Sequence, residues 1–64
     1  MKVKNAEKFE GLVCVAKEHG CKFLRSDETI ETTLEGLRTG AIKEVEVFLS
    51  GMYFDIKNAK LKEE

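Results

Sequence analysis

The chain has 64 residues and a mass of 7.3 kDa, with 42% apolar and 36% charged side chains, no proline and a net charge of −1. A chain of that size buries only about 60% of its unfolded surface, which allows one domain (1–64) with one small core and no enclosed cofactor fold. The composition excludes a disordered chain, no window approaches the ~18 apolar residues of a membrane span, and no secretory signal pattern is visible.

Residues 1–4 read as a short strand or a loose basic arm, and they are expected to fray. Asn5 is a good N-cap, and Ala6, Phe9, Leu12, Val13 and Ala16 then recur at three- and four-residue spacing on one face. Lys17, His19 and Gly20 form a helix stop signal, so a helix is predicted over about 5–19. Gly11 and the run Val13-Cys14-Val15 leave a competing hairpin, with strands 11–17 and 21–25, as the alternative. A short strand Cys21–Arg25 follows, with Cys21, Phe23 and Arg25 on one side and Lys22 and Leu24 on the other.

Ser26 starts a second helix, predicted over about 27–39. Asp27, Glu28 and Glu31 suit its positive N-terminus, Ile30, Leu34 and Leu37 form its apolar stripe, and Gly40 stops it. The threonines and Gly36 weaken its intrinsic helicity, so it needs tertiary packing. An antiparallel hairpin closes the chain, with strands over about 43–49 and 52–58 and a two-residue Ser50-Gly51 turn of the positive-φ kind. That turn pairs Leu49 with Met52, Val47 with Phe54 and Val45 with Ile56 on an apolar face. It opposes Phe48 with Tyr53, Glu46 with Asp55 and Glu44 with Lys57 on the other. Beyond Asn58 the apolar parity switches, the mark of a bulge or a strand end, and 60–64 read as a frayed tail. The expected fold is therefore a two-layer α+β domain of order α-β-α-β-β, its hairpin packed on two helices.

The net charge conceals an asymmetry. Residues 1–25 carry a net +3, residues 26–49 a net −4, and residues 50–64 balance. A bipolar chain of this kind favours contact with a protein partner or with a second copy of itself. Phe48 and Tyr53, flanked by Glu46 and Asp55, are the predicted interaction residues, because aromatics are enriched in interface cores and the two carboxylates would repel phosphate. The alternative is nucleic-acid binding through Lys2, Lys4, Lys22 and Arg25. A winged-helix reading fails on the acidic character of the second helix, which would meet phosphate repulsion.

No catalytic motif stands out, and no small-molecule substrate is evident. Cys14, His19 and Cys21 lack a fourth soft ligand and the paired spacing of a zinc site, so neither metal nor cofactor is expected. Two cysteines without a signal pattern fit free thiols in a cytoplasm. The expected function is a small non-enzymatic protein-interaction module, a homodimer, of the kind phages and mobile elements encode as accessory proteins.

Overall fold

The computed structural model describes residues 1–62. Its elements are β1 (Lys2–Val3), α1 (Ala6–Glu18), β2 (Lys22–Phe23), α2 (Asp27–Thr39), β3 (Ile42–Leu49) and β4 (Tyr53–Leu61). The four strands form one mixed sheet in the order β1-β3-β4-β2, and the two helices pack on one face of it. β1 and β4 run antiparallel to β3, whereas β2 runs parallel to β4.

Both helices start as expected. The Asn5 side chain accepts from the Lys8 N–H at 2.7 Å, and the Ser26 hydroxyl accepts from the Thr29 N–H at 3.2 Å. Gly20 and Gly40 follow the helix ends at φ 69° and 88°, the left-handed conformation that glycine adopts without steric cost. The helix over Ala6–Glu18 excludes the competing hairpin. Its face of Phe9, Val13 and Ala16 is buried in the core.

The core joins Phe9, Val13 and Ala16 of α1, Ile30 and Leu37 of α2, and Val3, Val45, Val47, Phe54 and Ile56 of the sheet. Phe54 is its centre. Its ring meets Phe9 edge-on at 6.3 Å and Phe23 at 4.8 Å between centroids. Burying each such side chain contributes about 1.5–3 kcal/mol.

Three expectations need correction. Of the two readings of residues 1–4 the short strand holds and the frayed arm does not: Lys2–Val3 is β1, Val3 is fully buried, and Met1 and Val47 exchange main-chain hydrogen bonds of 3.0 and 2.7 Å. The element order is therefore β-α-β-α-β-β. The tail does not begin at 60, because β4 continues to Leu61 and the Lys62 N–H donates to the Ala41 carbonyl; residues 63–64 lie outside the described residues. The hairpin turn is also displaced by one residue, onto Gly51-Met52. Ser50 pairs with Tyr53, and the Ser50 hydroxyl accepts from the N–H groups of Met52 and Tyr53 at 3.2 and 3.0 Å. A side-chain acceptor thus does the work expected of a positive-φ glycine, and Gly51 has no positive φ.

The displaced turn sets Val47 against Ile56 and Leu49 against Phe54. The apolar face survives because pairing has moved by two residues, an even number. Met52 leaves that face for the loop and is 69% exposed. The parity switch is a bulge: Asn58 and Ala59 together oppose Val45, with Asn58 at φ 48°.

Two substitutions test this packing. A Cβ at Gly36 would lie 2.5 Å from Ile42 Cδ1, so any larger residue there must displace the Ile42 side chain. Gly36→Ala should therefore destabilise by about 1–2 kcal/mol despite its better helix propensity, and should cost less in an Ile42→Ala background, which removes the two nearest atoms, as read by urea unfolding. Asn58→Val should cost about 1–2 kcal/mol through its left-handed backbone, while Asn58→Gly stays within about 0.5 kcal/mol of the native chain in the same assay.

Candidate interaction surface

Opposite the helices, the sheet presents an uncovered face. Strand alternation places Lys2 of β1, Glu44, Glu46 and Phe48 of β3, Tyr53, Asp55 and Lys57 of β4, and Lys22 of β2 on it. Leu24, just past β2, lies beside Asp55, since its N–H continues the ladder to the Phe54 carbonyl at 2.9 Å. Of the seven large apolar side chains well exposed among the described residues, Leu24, Phe48, Met52 and Tyr53 gather at this end of the sheet.

Asp55 is the midpoint of the face. Phe48 opposes it on β3, and Leu24 flanks it on the β2 side. Its carboxylate is 13% exposed and accepts from Arg25 Nε and from the Ile56 N–H, both at 2.8 Å. The Ile56 N–H points to the β2 side of β4, where β2 has already ended. Asp55 therefore satisfies the first backbone donor that the short strand leaves open. Burial pushes the Asp55 carboxyl up, but the hydrogen bonds from Arg25 and Ile56, with the charges of Arg25 and Lys57, outweigh it and hold its pKa below the ordinary value.

The displaced register redistributes the predicted site residues. Phe48 and Tyr53 are diagonal neighbours, not an opposed pair: Phe48 faces Asp55, and Tyr53 faces Ser50. Lys57 Nζ lies 5.3 Å from the centroid of the Phe48 ring. Glu46 and Asp55 are not opposed either. Glu46 faces Lys57 and accepts from the Asn58 amide at 3.3 Å, so the expected like-charge pair does not form. Glu44 faces Lys60, with Lys4 at 3.9 Å and Lys60 at 4.0 Å from its oxygens.

The basic set is divided. Lys2 and Lys4 belong to one edge of the sheet, Lys22 and Arg25 to the other, and Arg25 is held by Asp55 on the uncovered face. Arg25 thus leaves the side predicted for it with Phe23, because β2 ends at Phe23 and releases the alternation. Cys14 is exposed and Cys21 buried, its thiol donating to the Ser50 carbonyl at 3.1 Å. Among the described residues no three His, Cys, Asp or Glu side chains converge as metal ligands, and no helix is long and apolar enough to cross a membrane.

Comparison with known families, curated proteins and solved structures finds no match to this chain. The Arg25–Asp55 pair was invisible to local pattern, since the two residues are 30 apart in sequence. Leu24 was signalled only by its parity opposite Phe23.

A carboxylate with a lowered folded-state pKa contributes stability that is complete above its ordinary value and is lost as pH falls through the folded value. Native stability should therefore fall below about pH 4 more steeply than that of Asp55→Asn, in urea unfolding series compared at each pH.

Proposed function

We propose that this chain is a non-enzymatic interaction module whose partner is a second copy of itself, bound through the uncovered sheet face. The observation that carries this reading is the cluster of Leu24, Phe48 and Tyr53, each more than 40% exposed, around a neutralised Asp55–Arg25 pair. Aromatic side chains ringed by charge of both signs are the usual make-up of a protein contact surface. A 64-residue chain without staples also gains from association.

The sheet edges support the face over an edge-to-edge contact. Both outer strands are two residues long, Asp55 occupies the next open donor of β4, and the Asn58 bulge twists the remainder. Short edges and bulges of this kind discourage strand addition.

The second reading, single-stranded nucleic acid, draws on Lys2, Lys22 and Lys57, which flank the same aromatics. Lys4 and Arg25 support it less, being paired with Glu44 and Asp55.

Light scattering of the native chain at about 10–500 μM should give a mass rising from 7.3 kDa towards twice that value. Phe48→Ser with Tyr53→Ser should weaken this association at least about tenfold with little change in the unfolding midpoint. A chain that stays monomeric throughout, yet binds an oligonucleotide with steep salt dependence, would favour the second reading.

A further inference from the structure

The uncovered face has a symmetry that specifies how two copies fit. Lys22 pairs with Tyr53, one strand to the β2 side of β4 and two residues before Asp55. Glu46 pairs with Lys57, one strand to the β3 side and two residues after Asp55. The two opposite charges are therefore diagonal corners of a grid centred on Asp55. The nearest neighbours of that centre are Leu24 and Phe48 to either side, and Tyr53 and Lys57 before and after, with Ser50 at a third corner.

We propose that two copies pack face to face about a two-fold axis lying in the plane of contact, passing over Asp55 and crossing the Lys22–Glu46 diagonal at a right angle. This rests on the self-association reading above and assigns its register. The operation places Lys22 of each copy on the partner's Glu46, twice over. It sets Phe48 on the partner's Tyr53, and Leu24 on the apolar stem of the partner's Lys57. Asp55 meets its own symmetry mate at the axis, and Arg25, 2.8 Å away in each copy, neutralises that approach.

Sheet geometry agrees with this arrangement. With strands about 4.8 Å apart and same-face residues about 6.8 Å apart, the operation crosses the two sets of strands at roughly 70°, within the orthogonal class of sheet packing. The three strands and three side-chain rows of this grid project roughly 300 Å². That lies below the ~800 Å² per partner of a standard interface and makes the pair a weak, concentration-dependent one. Lys22 and Glu46 are the residues that select the register, because the apolar contacts alone tolerate sliding.

The test uses two charge reversals on the full chain. Lys22→Glu should set Glu against Glu in its own homodimer, and Glu46→Lys should set Lys against Lys. Each variant alone should dimerise at least about tenfold more weakly than the native chain. An equimolar mixture should recover dimer to near the native level, because in the mixed pair both corner contacts are again of opposite sign. Recovery on mixing cannot come from a damaged fold, and circular dichroism of each variant checks that it is folded. Native dimerisation that both reversals leave unchanged, or that mixing fails to restore, would overturn this register while leaving self-association standing. A native chain that stays monomeric would overturn both.

Discussion

The Phe54 ring ties one helix and one edge strand to the middle of the sheet. It joins α1 through Phe9 and β2 through Phe23, and it lies fully buried in the strand that also carries Asp55. β2 is only two residues long, too short to hold its place by backbone pairing alone. The Phe23–Phe54 contact supplies what the ladder lacks. Once β2 is aligned with β4, alternation sends Lys22 and Leu24 to the uncovered face, and Arg25 reaches Asp55. The interior contact on one side of the sheet thus arranges the surface on the other.

Much of this architecture was legible because helix and strand periodicities are strong signals. The stripes of both helices, their caps at Asn5 and Ser26, and the inner residues Val45, Val47, Phe54 and Ile56 all follow from spacing. Hairpin register was not legible, for a definite reason. Alternation of apolar residues specifies which face a residue takes, but a shift of two residues leaves every face unchanged. The Ser50 hydroxyl decided between the registers by accepting from Met52 and Tyr53, and that bond has no periodic signature. The consequence fell on the surface: Phe48 gained Asp55 and Lys57 as neighbours in place of Tyr53, and Glu46 gained Lys57 in place of Asp55. β1 stayed one of two readings, short strand or loose arm, because two residues cannot display alternation. Gly36 looked like a weak point of α2 and proves to be the place where that helix closes on Ile42.

The sheet treats its edges and its open face differently. Along β4, Asp55 takes the first donor that β2 leaves open, and the Asn58 bulge disrupts the remainder. Glu44, held between Lys4 and Lys60, places charge beside that bulge. Strand addition is discouraged at both edges, while the face keeps Leu24, Phe48 and Tyr53 in solvent. An exposed aromatic face on a chain with guarded edges suits contact by side chains over contact by backbone.

Concentration-dependent NMR of the native chain shows residue by residue whether the sheet face is where two copies meet. Backbone amide and aromatic resonances followed from about 20 μM to 1 mM, across the range of a weak dimer, should shift at Lys22, Leu24, Glu46, Phe48, Tyr53 and Lys57, with the helical surface around Cys14 and Val15 unchanged. Shifts confined to the helices, or none across the range, would contradict the assignment of the sheet face as the site of self-association.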